Sequence, residues 1–170
     1  MTTRPAVGKI FEPVTLPRVG GGEVVLGGDG RWQLIVIYRG KHCPICKTYL
    51  SGFEELKAGY EEAGIEVCAI SADPQEKADV DVEEMGLSLP VGYDLTEENM
   101  RQMGLYISDP VSPKEHDRRF PEPGVLVINP LGRLHVADIG SAPFVRTDLK
   151  LLLGGLKYVI GSDYPVRGTA

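Results

Sequence analysis

The sequence predicts an α/β fold in which helices cover a central mixed β-sheet. Residues 34–38 form a short, continuous and β-branched apolar run, which is typical of a buried strand. The segment that follows repeats apolar residues at three- and four-residue steps, as one face of a helix does. Strand-like and helix-like segments alternate further along the chain, and this order favours a sheet with helices on both faces.

The first half of the chain contains five predicted elements. A glycine-rich turn joins the two strands of the opening hairpin, and a glycine is placed to cap the first long helix. In chain order the elements are a hairpin at 14–26, a strand at 33–38, a helix closed by Gly64, a strand at 65–70 and a helix that ends near Gly86.

The second half begins with a short extended stretch and a third helix that points Met100 and Met103 inward. A proline-rich and charged segment then predicts a long surface loop. The elements are an extended stretch at 87–91, a helix opening at 94–97, the loop at 107–122, a hairpin of 125–129 and 134–139, a last helix with Val145, Leu149, Leu152, Leu156 and Val159 on one face, and an irregular tail at 161–170.

Two cysteines lie where the strand at 33–38 passes into the first helix. Proline is favoured at the first helical position, so Pro44 places Cys43 at or near the N-cap. Unpaired N–H groups and the helix dipole stabilise a thiolate there, and Lys41, Lys47 and a protonated His42 would act in the same direction. Cys46, one turn later, is expected to be the more buried thiol, so an exposed attacking thiol and a buried resolving thiol are predicted.

Composition and charge exclude several function classes. The chain has 170 residues, 3 cysteines and a net charge of -6, which gives no electrostatic reason to bind nucleic acid or anionic lipid. No apolar run is long enough to span a membrane or to form a signal peptide, so a cytoplasmic location is expected. Cys68 is expected to be a small core residue, with a second resolving thiol as the alternative.

The cysteine pair could also bind zinc, although few ligands are available to complete a site. Besides the pair, only Cys68, His42, His116 and His135 could contribute. His42 lies too close in sequence to Cys43 to complete a simple tetrahedron, and His135 lies in a strand pattern. We therefore expect no metal and no cofactor.

The whole pattern resembles the thioredoxin fold and, more narrowly, the peroxiredoxin-like branch of the alkyl hydroperoxide reductase/thiol-specific antioxidant family. The resemblance is carried by the opening hairpin, the strand ending at 38–40, the Cys43-Pro44-Ile45-Cys46 motif, and segments 67–73, Asp94 and 124–133. It covers nearly the whole chain, so residues 1–170 are expected to form a single thioredoxin-like domain.

The resemblance implies that Pro123 is similar to the cis-proline that faces the dithiol in thioredoxin folds. Glu122 would then offer its backbone to an extended substrate, whereas a trans Pro123 in an ordinary turn is the alternative. The chain also departs from the peroxiredoxin pattern. If Cys46 takes the peroxidatic place, Cys43 replaces the family's threonine, Arg39 its proline and Pro123 its arginine.

A substitute for the missing arginine could come from Arg39, Arg118 or Arg119. We expect His116 and residues 118–119 to be solvated loop residues. The alternative is that they bind a substrate over the dithiol. Alignment with peroxiredoxins indicates Cys46 as the nucleophile, whereas helix geometry indicates Cys43, and we favour Cys43.

The predicted function is thiol–disulfide exchange at Cys43 and Cys46, with a thiol-dependent peroxidase as the alternative and a redox-inactive binding module as a third class. The predicted substrate-positioning residues are Pro123, Glu122, His42, Arg39 and Arg119. Expected partners are a disulfide-bearing protein or a small thiol or peroxide, and a thioredoxin- or glutathione-type electron donor. A homodimer is compatible with the resemblance.

Overall fold

The computed structural model describes residues 5–170, which contain nine strands and four helices. The strands are β1 (Val14–Pro17), β2 (Glu23–Leu26), β3 (Trp32–Ile37), β4 (Ile65–Ile70), β5 (Val91–Gly92), β6 (Ile107–Ser108), β7 (Phe120–Pro121), β8 (Gly124–Ile128) and β9 (Leu134–Ile139). The helices are α1 (Pro44–Glu62), α2 (Gln75–Met85), α3 (Glu97–Gln102) and α4 (Leu149–Ser162).

A five-stranded mixed sheet in the order β5-β4-β3-β8-β9 forms the centre of the fold. Strand β3 pairs in parallel with β4 and antiparallel with β8, so that Ile35 lies between Cys68 and Leu126. Strands β8 and β9 form the predicted antiparallel hairpin, and β1 and β2 form the opening hairpin. The predicted α/β fold with a central mixed sheet and an N-terminal hairpin is therefore confirmed.

The sheet separates two hydrophobic clusters because alternate residues of β3 point to opposite faces. Ile35 and Ile37 pack with the opening hairpin and with the buried methionines Met100 and Met103. Leu34 and Val36 pack on the other face, against α1 and α4. The two clusters cover both faces of β3, which explains why the sequence of this strand is a continuous run of apolar residues.

The helix boundaries follow local capping signals. The side chain of Cys43 caps α1, and Pro44 occupies the first turn. Helix α2 ends at Gly86, which adopts the left-handed conformation with φ +61°. No helix within residues 5–170 is long and apolar enough to cross a membrane.

Two predicted segments differ from the structure. The last helix begins at Leu149 because the Asp148 side chain accepts the Leu151 N–H (2.8 Å), so Val145 lies before the helix rather than on its buried face. The loop at 107–122 contains the paired strands β6 and β7, and Phe120 in β7 is fully buried. Part of this segment therefore belongs to the hydrophobic core, because the side chain of Phe120 is buried there.

The two faces of the sheet also separate Cys68 from the other cysteines. Cys68 belongs to the cluster of Ile35, whereas Cys43 and Cys46 belong to the cluster of Leu34. Burial raises the pKa of the Cys68 thiol to about 12, so this thiol is protonated and a poor nucleophile at neutral pH.

We predict that Cys68→Ala leaves disulfide formation by the other two cysteines unchanged, because the sheet lies between them. The variant should lose about 1 kcal/mol of unfolding free energy, since it removes one buried side-chain atom. Mass spectrometry after mild oxidation and urea unfolding measure the two effects. A Cys68→Ala protein that no longer forms the intramolecular disulfide would show that Cys68 takes part in the redox cycle.

Candidate active site

Cys43 and Cys46 lie at the beginning of α1 with their sulfur atoms at disulfide-bonding distance. Their Cα atoms are 5.3 Å apart, within the range of protein disulfides. Cys43 has an extended backbone, and its Sγ accepts the Cys46 N–H at 3.3 Å, as an N-cap side chain does. The predicted N-cap position of Cys43 is confirmed.

The predicted contrast between an exposed Cys43 and a buried Cys46 is wrong for this oxidised state. Cys43 is 2% exposed and Cys46 is fully buried. Both sulfurs pack into the cluster of Leu34 and Val36. Access for a reagent therefore depends on the residues that cover the pair, and not on an intrinsic difference in exposure between the two cysteines.

Arg146 covers Cys46 and is the main site residue that sequence reasoning missed. Its Nη2 lies 2.7 Å from the Cys46 Sγ, and its Nε donates to the carbonyl oxygen of Pro143 at 2.5 Å. Nη1 is buried and has no hydrogen-bond partner among residues 5–170. Desolvation lowers the pKa of Arg146, but a guanidinium remains cationic at neutral pH. After reduction, this charge would stabilise a Cys46 thiolate.

The lysines that flank the cysteines contribute less than predicted because carboxylates pair with them. Lys47 Nζ lies 3.0 Å from the buried carboxylate of Asp81 and 3.6 Å from Glu84. The hydrogen bond with Asp81 raises the pKa of Lys47. Lys41 lies at 4.0 Å from Glu84. The positive potential at the site therefore comes mainly from the helix terminus and Arg146.

A buried carboxylate, Asp73, fixes the loop that leads into the cysteine pair. Its Oδ2 accepts the Lys41 N–H at 2.7 Å, and its Oδ1 lies 3.1 Å from His116 Nε2. Gly40 has φ +130°, and a Cβ atom there would lie 2.5 Å from Asp73 Oδ1. Only glycine allows both this conformation and this approach.

The prediction that His116 is a solvated loop residue is wrong. Its side chain is fully buried. Its Nε2 lies 3.1 Å from Asp73 Oδ1, and its Nδ1 lies 3.2 Å from the Arg118 N–H and 3.1 Å from Asp117 Oδ1. His116 thereby connects the 107–122 segment to the loop before the cysteines.

His42 packs against the rings of Phe120 and His116. The prediction considered a protonated His42, but the side chain is neutral here. Its ring lies edge-on to Phe120 (4.7 Å between centroids) and to His116 (5.5 Å). Desolvation, followed by the positive charge of Arg39, lowers the pKa of His42 to about 4. Both ring nitrogens are buried without a hydrogen-bond partner among the described residues. At neutral pH His42 is therefore a neutral residue and adds no charge to the site.

Arg39 and Glu122 face each other beside the rings of His42, His116 and Phe120. Arg39 Nε lies 3.2 Å from Glu122 Oε2, and its guanidinium stacks over Phe120 at 5.0 Å. Glu115 lies at 3.5 Å from Arg39, and Ser108 donates to Glu122 Oε1 at 2.7 Å. Both side chains thus have internal partners, and their role in positioning a substrate remains a prediction.

The cis-proline implied by the resemblance is not present: no peptide bond in residues 5–170 is cis. Pro123 enters β8 with a trans bond, and its carbonyl accepts the Gly140 N–H at 2.9 Å. The Glu122 N–H donates to the Tyr106 carbonyl at 2.8 Å, so this backbone donor is already used. The Glu122 N–H is thus paired within the chain, and the substrate-positioning role of Glu122 and Pro123 stays a prediction.

Arg118 and Arg119 are not brought to the cysteines. Arg118 pairs with Asp94 and Asp117, both at 3.0 Å. Arg119 pairs with Asp109 at 2.8 Å and Glu97 at 3.1 Å. These exposed pairs connect the 107–122 segment to α3 and its neighbouring loop. Within residues 5–170, the arginine hydrogen-bonded to a cysteine sulfur is Arg146.

The histidines and cysteines form no metal centre within the described part of the chain. No group of three or more His, Cys, Asp or Glu side chains in residues 5–170 is arranged to hold a metal ion. His135 instead lies 3.3 Å from the Asn129 amide and packs edge-on against Trp32.

The depressed pKa of His42 predicts a specific dependence of stability on pH. The unfolded chain binds a proton at His42 below about pH 6.5, whereas the folded oxidised protein does so only near pH 4. The free energy of unfolding should therefore fall by about 1–2 kcal/mol between pH 7.5 and 4.5, allowing for partial solvent screening.

Urea unfolding at several pH values measures this loss. His42→Phe keeps an aromatic ring against Phe120 and should flatten the profile over this range. An identical pH profile in the variant and the original protein would show that another group is responsible.

Comparison with known proteins agrees with this architecture. Three of the solved structures that resemble the chain are a peroxiredoxin-like protein from Aquifex aeolicus (18% identity, TM-score 0.78, 93% of this chain and 90% of that one), a cysteine mutant of peroxiredoxin 6 from Arenicola marina (16%, 0.78, 93% and 74%) and peroxidoxin BcpB from Mycobacterium tuberculosis (16%, 0.73, 95% and 100%). At these identities the likeness establishes the fold. No curated protein sequence matches the chain.

The family is established by a different comparison, made on sequence. The model of the AhpC/TSA family matches residues 7–137, which include the opening hairpin, the cysteine pair and most of the sheet. Arg146 lies beyond the matched segment. The chain belongs to the AhpC/TSA family.

Proposed function

We propose that this protein is a thiol–disulfide oxidoreductase that cycles Cys43 and Cys46 between a dithiol and an intramolecular disulfide. The observation that supports this most directly is the pair at disulfide distance on the N-terminus of α1. An N-cap donor set and an adjacent guanidinium are two of the features that lower cysteine pKa values in proteins. Membership of the AhpC/TSA family supports redox chemistry at the same residues.

The exchange reaction needs no cofactor. One cysteine thiolate attacks a sulfur of the substrate disulfide, and the other substrate sulfur leaves as a thiolate that takes up a proton. The second cysteine loses its proton and attacks the resulting mixed disulfide. The products are the Cys43–Cys46 disulfide and two substrate thiols. An external dithiol of the thioredoxin type, or two thiols of the glutathione type, reverses the oxidation of the protein and is itself left as a disulfide.

Arg146 favours a second candidate function, the reduction of a hydroperoxide. Its Nη2 contacts the Cys46 sulfur, and its buried Nη1 has a free hydrogen-bonding position among the described residues. A peroxide oxygen is an acceptor that this donor could bind. The Cys46 thiolate would attack one peroxide oxygen, and the second oxygen would leave with a proton as an alcohol or water. Cys43 would then condense with the Cys46 sulfenic acid, releasing water and forming the disulfide.

The two cysteines differ in what stabilises their thiolates, and the magnitudes favour Cys46. A helix terminus contributes about 0.3–1 kcal/mol in most settings, up to about 2 when partly buried. A hydrogen bond to a charged group contributes about 1.5–3 kcal/mol. Cys43 has the first and Cys46 has the second. We therefore propose that Cys46 makes the first attack, while the N-cap argument for Cys43 remains as the alternative.

We predict that Arg146→Met raises the pKa of Cys46 by about one to two units, because it removes the only guanidinium contact described for this sulfur. Alkylation rate against pH is measured in the Cys43→Ser background. Arg119→Met is the matched control, since it removes a surface arginine paired with Asp109 and Glu97. Equal shifts in the two variants, or a Cys46 that titrates near 8.5 with Arg146 present, would contradict the proposed role.

A pair of assays separates the two functions. Consumption of hydroperoxide is followed with a thioredoxin–reductase couple, and reduction of an insulin-type disulfide is followed in a separate assay without thioredoxin. If the peroxide function holds, Arg146→Met should lower peroxide turnover at least tenfold and should affect disulfide reduction less. Loss of both activities in Cys43→Ser and Cys46→Ser is expected from the shared cycle. Full activity in either single variant would contradict the proposed dithiol mechanism.

From the same chemistry we also infer a location, a role and partners for the protein. A reversible dithiol is useful where thiols are kept reduced, which supports a cytoplasmic location and an antioxidant role. The net charge of -6 supports small redox substrates and a protein electron donor rather than nucleic acid or an anionic membrane. A homodimer is consistent with these roles.

A further inference from the structure

Arg146 lies in a segment that cannot hold its guanidinium in place by itself. Residues 141–148 connect β9 to α4 without helix or strand. Within this segment, the Arg146 Nε donates to the Pro143 carbonyl and the Val145 N–H donates to the Ala142 carbonyl. These contacts shape the segment locally, but they do not fix it against α1, where Cys46 lies.

Tyr49, one turn after Cys46 on α1, provides that attachment through two separate contacts. Its hydroxyl donates to the Thr147 carbonyl at 2.8 Å. Its ring lies under the Arg146 guanidinium, 4.7 Å from the ring centroid to Cζ. Desolvation raises the pKa of Tyr49 to about 12, so the hydroxyl keeps its proton and remains a donor at neutral pH.

A third contact holds the same segment from the opposite side. The Thr147 N–H donates to Asp138 Oδ2, on β9, at 3.0 Å. Thr147 is therefore held between β9 and α1, and its neighbour Arg146 is directed onto the sulfur at 2.7 Å. Apart from the contact of Arg146 with the Cys46 sulfur itself, the Tyr49 contacts are the hydrogen bond and the ring contact that join residues 146–147 to α1 within residues 5–170.

We propose that Tyr49 is the positioning residue that holds the Arg146 guanidinium on Cys46 and thereby sets the acidity of that thiol. This inference rests on the proposed function, in which Arg146 stabilises the Cys46 thiolate. The hydroxyl fixes the backbone of the segment, and the ring fixes the plane and the charge of the guanidinium. Loss of either contact lets Arg146 move toward solvent, and the thiolate loses its closest positive charge.

The chain contains a matched control for this proposal. Tyr60, on the same helix, donates its hydroxyl to the Leu149 carbonyl at 2.9 Å. This bond joins α1 to the first residue of α4, and within residues 5–170 Tyr60 makes no hydrogen bond or ring contact with Arg146. Tyr60→Phe therefore removes the same kind of hydrogen bond, from α1 to a carbonyl two residues further along the chain, and leaves the guanidinium in place.

The experiment compares alkylation against pH for Cys46 in the Cys43→Ser background, with Tyr49→Phe, Tyr49→Leu and Tyr60→Phe added singly. We expect the Cys46 midpoint to rise by about half a unit in Tyr49→Phe, which keeps the ring, and by about one unit in Tyr49→Leu. One unit is a tenfold loss of thiolate at a pH below the midpoint. Tyr60→Phe should leave the midpoint unchanged, although it weakens the packing of α4.

A double variant distinguishes this inference from the function on which it rests. If Tyr49 acts through Arg146, adding Tyr49→Leu to Arg146→Met should cause no further shift. An unchanged midpoint in Arg146→Met would overturn the role of Arg146 itself. A shifted midpoint in Arg146→Met with none in the Tyr49 variants, or an equal shift in Tyr60→Phe, would overturn the role of Tyr49 alone. If Tyr49→Leu does not fold, Tyr49→Phe decides the outcome.

Discussion

The buried carboxylate of Asp73 is the interaction on which the geometry of the site depends. A buried carboxyl group is costly unless its oxygens have hydrogen-bond partners, and here the partners are the Lys41 N–H and His116 Nε2. Each partner belongs to a different loop, so one side chain holds both loops at the end of the central strand. Gly40 is required there because a side chain would collide with the carboxylate. The first turn of α1, which carries the two cysteines, follows directly after the residues that Asp73 holds in place.

The balance of charge around the cysteines follows from which cations have carboxylate partners. Arg39 pairs with Glu122, and Lys47 pairs with the buried Asp81. Among residues 5–170, no carboxylate lies within ion-pair distance of Arg146. Its nearest described partners are a carbonyl, a tyrosine ring and the Cys46 sulfur. The uncompensated cation is thus directed at the sulfur, where an anion forms on reduction.

The sequence contains enough information for the fold and for the cysteine pair, because both depend on local patterns. Strand β3 is recognisable from its apolar run, and Pro44 identifies the first turn of α1. Arg146 is about a hundred residues away from Cys46, in an irregular segment without any periodic signal. The burial of His116 was missed for a similar reason: a proline-rich, charged segment looks solvated until its histidine is paired with a distant carboxylate. Contacts of this kind depend on tertiary structure, which local patterns do not encode.

The groups around the disulfide also determine whether the equilibrium between the disulfide and the dithiol favours the oxidised or the reduced form. In the proposed cycle each thiolate of the reduced form would have its own stabiliser, the helix N-terminus for Cys43 and the guanidinium for Cys46. The disulfide carries no negative charge, so it gains less from either one. Whatever stabilises the reduced form makes the disulfide a stronger oxidant, and a thiolate of lower pKa is also a better leaving group. The arrangement therefore favours return of the oxidised pair to the dithiol, which completes either proposed cycle, and it correspondingly makes the dithiol a weaker reductant of a substrate disulfide.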